Sequence, residues 1–87
     1  MTRVFTPEEW IMVKATRNEP NKLVEYRVSF GDEKWKNGTV QKVFKVHLCV
    51  DGDIRYRHCP SYLVDTDDFE RVYKALVELK KKHGFNN

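Results

Sequence analysis

Two turn dipeptides constrain this chain more than any other feature. Asn37-Gly38 and Asp51-Gly52 stand on either side of a β-rich run, Thr39 to Val50. Tight hairpin loops need φ > 0, a region that Gly, Asn and Asp tolerate. The run is therefore expected to be a central strand, joined by hairpins to one strand before it and one after it. Val40, Phe44, Val46, Leu48 and Val50 form its apolar set, with Lys42 the exception. Thr39, Gln41, Val43, Lys45, His47 and Cys49 fall on the other side.

The flanking runs carry the same period of two. From Leu23 to Phe30, Val24, Tyr26, Val28 and Phe30 alternate with Glu25, Arg27 and Ser29. After the second turn Ile54 and Tyr56 alternate with Asp53, Arg55 and Arg57. Residues directly opposite each other in a ladder share a face, and a buried face specifies the register. Two-residue loops would set Phe30 opposite Lys45 and Leu48 opposite Arg55. Three-residue loops, Lys36–Gly38 and Val50–Gly52, place a glycine at each left-handed position and make every row apolar. Phe30 then faces Phe44, Val28 faces Val46, Tyr26 faces Leu48, Leu48 faces Ile54 and Val46 faces Tyr56. A two-residue first loop with a bulge at Gly31 gives the same faces beyond the bulge but moves Trp35 to the apolar side, so the side of Trp35 is open. Pro60, which has no N–H to give, ends the third strand's clean pairing.

The two ends of the chain read differently. Thr6-Pro7-Glu8-Glu9 has the form of a helix start, and Trp10–Thr16 alternates like a strand. One helical turn followed by a strand is the preferred reading; the alternative is a helix of two or three turns through Ala15. Asn18-Glu19-Pro20-Asn21 is a loop on either reading. From Thr66 the pattern turns helical, with Phe69, Val72, Tyr73, Leu76 and Leu79 on one stripe. Thr66 or Asp65 caps it, Asp67, Asp68 and Glu70 suit its positive end, Lys80–His83 suit its negative end, and Gly84 suits the C′ position. The expected fold is α+β: an antiparallel sheet of three or four strands, about 10–17, 23–36, 39–50 and 53–59, with one C-terminal helix, about 67–83, packed on one face. With 87 residues, no repeats and no linker, residues 1–87 form one domain.

The sheet face away from the helix then holds Arg27, Lys45, His47, Arg55 and Arg57, with Glu25 and Asp53 as partial neutralisers. Like charges opposite each other destabilise a ladder, so this cluster wants an anion across it or a purely solvated role. A net charge of +3 permits a polyanion partner without requiring one. Cationic grooves with aromatic platforms hold single-stranded nucleic acid, and His47 and Trp35 are the residues available to stack. The function expected is therefore non-enzymatic binding of nucleic acid, single-stranded DNA or RNA in preference to duplex, through Arg27, Trp35, Lys45, His47, Arg55 and Arg57. The alternative is a protein-interaction or self-associating module, such as a homodimer, that uses the same face or a free sheet edge.

Other chemistry finds little support. The spacing of His47, Cys49, His58 and Cys59 matches no common zinc site, and no cofactor motif is present. In the expected register Cys49 and Cys59 stand too far apart for a disulfide. Cys49 beside His47 is the one nucleophile–base pair, without an orienting acid or an oxyanion element. The Lys80–Lys82 run reads as a solvated helix end. The longest apolar run, Trp10–Val13, falls far short of the roughly 20 residues of a membrane span. No signal peptide is seen either, so a cytoplasmic location is expected.

As an order of elements, Leu23–His83 resembles the single-strand DNA-binding transcriptional coactivators of the positive-cofactor type. It also resembles the arm-type DNA-binding domains of phage integrases, which lay a sheet face on duplex DNA. A helical N-terminus would give the order of a double-stranded RNA-binding domain. In that family the second helix begins with lysines that meet phosphate, and here it begins Asp67-Asp68. No motif specific to any of the three is present, so each is an analogy of architecture.

Overall fold

The structure is a computed structural model that describes residues 3–16 and 20–85. It contains β1 (Arg3–Lys14), β2 (Val24–Trp35), β3 (Val40–Val50), β4 (Asp53–Arg55) and α1 (Asp68–Lys82). The strands form one antiparallel sheet in the order β1-β2-β3-β4, and the helix packs on one face, an α+β arrangement. The expected strand end at Arg17 and the loop residues Asn18 and Glu19 lie outside the described residues, as do the two residues at each extreme of the expected domain.

The β2–β3 hairpin has the apolar register: Phe30 faces Phe44, Val28 faces Val46 and Tyr26 faces Leu48. Its loop is Lys36–Gly38, closed by a Trp35–Thr39 pair, with Gly38 at φ 89°. Even-numbered residues of both strands therefore face the helix, and Trp35 stands on the opposite face. The core comprises Val24, Tyr26, Val28, Phe30 and Leu48 from β2 and β3, Val13 and Ala15 from β1 and the segment after it, and Val72, Ala75 and Leu79 from the helix.

Three features depart from the sequence expectation. Thr6-Pro7-Glu8-Glu9 is extended, not a helical turn, and β1 starts at Arg3. As an edge strand β1 tolerates proline, and the extra residue between Pro7 and Glu9 is absorbed as a bulge. Opposite Pro7 lies Gly31, where a Cβ would stand 2.2 Å from the Thr6 carbonyl oxygen and 2.8 Å from the Pro7 Cα. The glycine lets the two backbones close together at the bulge.

The second hairpin has a two-residue turn, not the three-residue loop. Val50 pairs with both Val24 and Asp53, so it belongs to the ladder. Asp51 donates its N–H to the Leu23 carbonyl at 2.8 Å, and its carboxylate accepts the Leu23 N–H at 2.8 Å. Asp51 and Gly52 both have positive φ, 51° and 86°, as a type I′ turn needs. Ile54 consequently faces Cys49, and Arg55 faces Leu48. The apolar pattern has little hold here because β4 is only three residues long. The expected strand to residue 59 ends in a turn closed by the His58 N–H on the Arg55 carbonyl, 3.2 Å.

The third departure concerns the helix stripe. Its buried line is Asp68, Val72, Ala75 and Leu79, while Phe69 and Tyr73 are exposed. The helix lies over β1 and β2, and its apolar arc extends beyond the line it buries there.

Asp68 is wholly buried. Its carboxylate accepts the Thr16 N–H (3.0 Å), the Thr16 hydroxyl (2.5 Å), the Tyr26 hydroxyl (3.0 Å) and an Arg71 Nη2–H (2.5 Å). Arg71 also donates to the carbonyl of Lys14, the last residue of β1, at 2.7 Å. Burial opposes the charge on Asp68, but the hydrogen bonds from Thr16 and Tyr26 and the Arg71 charge outweigh it and hold the carboxyl below its ordinary value of 3.8. At its other end the helix is tied to the same strand. Lys82 pairs with Glu9, His83 Nε2 lies 3.0 Å from Glu9 Oε1, and the His83 ring stacks on Phe30 at 4.1 Å.

Two stability outcomes follow, both read by urea unfolding. Gly31→Ala should lose about 1–3 kcal/mol, the ordinary cost of forcing atoms into a closed contact; an unchanged midpoint would show that the strands part freely there. Asp68→Asn should lose about 3 kcal/mol, because it leaves the Thr16, Tyr26 and Arg71 donors around a neutral amide. The Asp68 contribution is complete above the unfolded carboxyl pKa and is lost as pH falls through the lower folded pKa. The wild type should therefore lose stability on acidification below about pH 4 more steeply than Asp68→Asn.

Candidate functional site

The face away from the helix carries the odd-numbered residues of β2 and β3, with Trp10 and Met12 beyond the β1 bulge and Phe5 and Pro7 before it. It is not a flat solvated surface: Ser29, Glu33 and Cys49 on it are each less than 5% exposed. A groove of about 520 Å³ runs over it, bounded by Phe5 and Pro7 from β1 at one edge and Tyr56 after β4 at the other. Both edges of the sheet thus contribute to one trough, whose floor includes Arg27, Lys45 and His47.

Arg27 and His47 are directly opposite each other, and Lys45 is the next residue on that side of β3. The Arg27 guanidinium lies over the Trp10 ring at 4.1 Å. Such a contact holds a cation by the ring quadrupole and leaves its charge uncancelled. Arg27 has no ion pair among the described residues, and its buried Nε has no hydrogen-bond partner there. Lys45 is more committed: its Nζ is 2.7 Å from the Glu33 carboxylate and 5.5 Å from the Phe5 ring. His47 meets the Tyr56 ring edge-on at 5.2 Å. Burial, with the Lys45 and Arg27 charges behind it, lowers the His47 pKa from 6.5, so the ring is neutral at pH 7. Cys49 beneath it is held as the thiol, because burial raises its pKa from 9.0.

Of the six residues picked from the sequence, Arg27, Lys45 and His47 come together. Trp35 is on the same face at the far end of β2, opposite Arg3, and is half-exposed. Arg55 is not in the row with Arg27 and His47: the two-residue turn sets it opposite Leu48, on the helix side of an edge strand. Asp53 moves to that side for the same reason, opposite Val50. Arg57 follows the end of β4 and is exposed in the turn, outside the ladder. Tyr56, expected beneath the helix opposite Val46, turns its ring to His47 instead.

Trp10 and Tyr56 are therefore the members of the face that sequence reasoning missed. Trp10 is 49% exposed and Tyr56 71% exposed. The alternation of Ile11, Val13 and Ala15 would have found Trp10, since a strand that buries those residues turns Trp10 and Met12 outward. Among the described residues no group of three His, Cys, Asp or Glu side chains is placed to hold a metal ion. No helix of the described residues is long and apolar enough to cross a membrane.

No family model matches this chain, and no curated protein and no solved structure does.

The His47 environment gives a direct check. An NMR titration should place its pKa below 6.5, and Lys45→Met should raise it part of the way back, since burial remains the larger cause. An unperturbed His47, or one unmoved by Lys45→Met, would mean that the trough is open to water at its centre.

Proposed function

We propose that this chain is a non-enzymatic domain that binds single-stranded nucleic acid in the trough. The observation that carries the reading is the interleaving of exposed rings with cations on one concave face. Trp10 and Tyr56 expose their rings there, Trp35 lies on the same face, and Arg27 lies among them with no ion pair among the described residues. Unpaired bases need such stacking surfaces, and each is worth about 1–3 kcal/mol by alanine substitution. Duplex DNA hides its base faces and cannot use them, which favours single strands. Arg27 and Lys45 are the phosphate contacts. Lys45 exchanges Glu33 for phosphate only in part, so moderate affinity is expected. Arg57, exposed in the turn beside Tyr56, extends the positive field without lying on the floor.

Titration of labelled homopolymers at several salt concentrations tests this. Tyr56→Ala and Trp10→Ala should each weaken single-strand binding by about 1–3 kcal/mol and change duplex binding little. Arg27→Ala/Lys45→Ala should lower the slope of log affinity against log salt by about 1.4, from roughly 0.7 per contact on a single strand. Lys74→Ala/Lys81→Ala, on the helix, is the control and should leave the slope unchanged. Absence of binding to any nucleic acid at about 50 mM salt, where phosphate contacts are strong, would end the proposal.

A further inference from the structure

The helix side of the sheet carries a second surface, independent of the trough. Phe69 and Tyr73 stack on each other at 6.4 Å and, with Val77, form an apolar flank of α1 outside the buried line; Leu76 lies between the two and packs against the core. With Phe44 of β3 and Phe85 beyond the helix, Tyr73, Leu76 and Val77 line a groove of about 370 Å³. Its floor continues into a smaller one of about 130 Å³ between Phe30, Phe44 and Phe85. Phe44, Tyr73 and Phe85 remain 38%, 60% and 46% exposed.

The backbone beside this groove is also unpartnered. β4 pairs only with Leu48–Val50, so no strand of the described residues lies beside Val40–His47 on that edge. Trp35 and Thr39 close the first hairpin as a hydrogen-bonded pair. Hydrogen-bonded and non-hydrogen-bonded pairs alternate along an antiparallel ladder. The N–H and C=O groups of Val40, Lys42, Phe44 and Val46 therefore point outward along the sheet edge, beside the groove that Phe44 shares with the helix. A free edge beside an apolar groove suits strand addition: main-chain bonds give affinity, and alternate side chains reach the groove.

Charge selects the occupant. Lys80 and Lys81 line the groove. Lys42, at its hairpin end, is already engaged by Asp32 at 2.8 Å and Glu8 at 3.0 Å. A second copy of this chain, paired edge to edge about a two-fold axis, would bring the same lysines towards their equivalents. A carboxylate-bearing strand would meet them favourably. We propose that β3 accepts, along Val40–Val46, an extended acidic segment of another protein with apolar residues at alternate positions. Its inward apolar side chains lie on Phe44, Tyr73 and Val77, and its carboxylates face Lys81.

The test uses the whole chain and a fluorescein-labelled, end-capped peptide of alternating glutamate and valine, read by anisotropy; alternating lysine and valine is the control peptide. The acidic peptide should bind and the basic one should not. Tyr73→Glu should weaken binding about tenfold or more, because it puts a carboxylate on the apolar wall. Lys42→Pro should do the same by removing an outward N–H, a change an edge strand tolerates. Lys42→Met, which keeps the N–H, should bind like the wild type. Melting curves establish that each variant folds; Val40→Pro serves if Lys42→Pro does not. Failure of the wild type to bind overturns the proposal. So does loss in Tyr73→Glu without loss in Lys42→Pro, which would mean a helical or small apolar occupant. Sedimentation showing a dimer that Lys42→Pro dissociates would assign the edge to self-association instead.

Discussion

The Asp68 carboxylate is the interaction on which the arrangement depends. A buried anion is tolerated only where donors surround it, and here they come from three parts of the chain: Thr16 after β1, Tyr26 in β2 and Arg71 one turn along the helix. The site can be satisfied in one geometry only, with the start of α1 over the ends of β1 and β2. Apolar packing alone leaves the facing of the helix poorly specified, because Phe69, Tyr73 and Val77 offer a second apolar flank. The carboxylate decides between the two flanks. It sends Val72, Ala75 and Leu79 into the core and leaves the aromatic flank outside.

How much of this was legible in the sequence depends on how much surface each pattern buried. The β2–β3 register was readable because a long run of paired residues has one buried side, so a slip would expose all of Tyr26, Val28 and Phe30. The β3–β4 register was not, since only Ile54 and Arg55 were at stake and the Asp51-Gly52 turn, held to Leu23, outweighed them. The helix bounds followed from its end charges and Gly84. Its facing did not, because hydropathy ranks Phe69 above Asp68 and takes no account of donors supplied by Thr16 and Tyr26. Thr6-Pro7-Glu8-Glu9 misled for a related reason: a helix-start pattern is local, while the bulge depends on Gly31 across the sheet.

The same lesson applies to the candidate site. Arg27, Lys45 and His47 were placed together by a register set by the buried side of the same strands. Arg55 was misplaced by the one hairpin whose register the apolar pattern does not control. Trp10 went unseen because the first strand, expected from Trp10 onward, was given no partner and so no face, and Tyr56 because it was assigned to the core. The revised face has fewer cations and more rings than the sequence suggested. It therefore shifts the weight of the reading from charge towards stacking.

The tie between β1 and α1 bears on how the molecule assembles. Both ends of the helix are bonded to that first strand or the residue pair beyond it, through contacts 52 to 74 residues apart in sequence. Closing such a loop costs chain entropy before any contact rewards it, whereas the β2–β3 hairpin closes locally. The hairpin is the natural nucleus, β1 joins β2 across residues 15–23, and loop entropy favours α1 docking last. Until then the apolar sides of β2 and β3 stand open to water, and the interval before closure is when this chain is most exposed to association with its own kind.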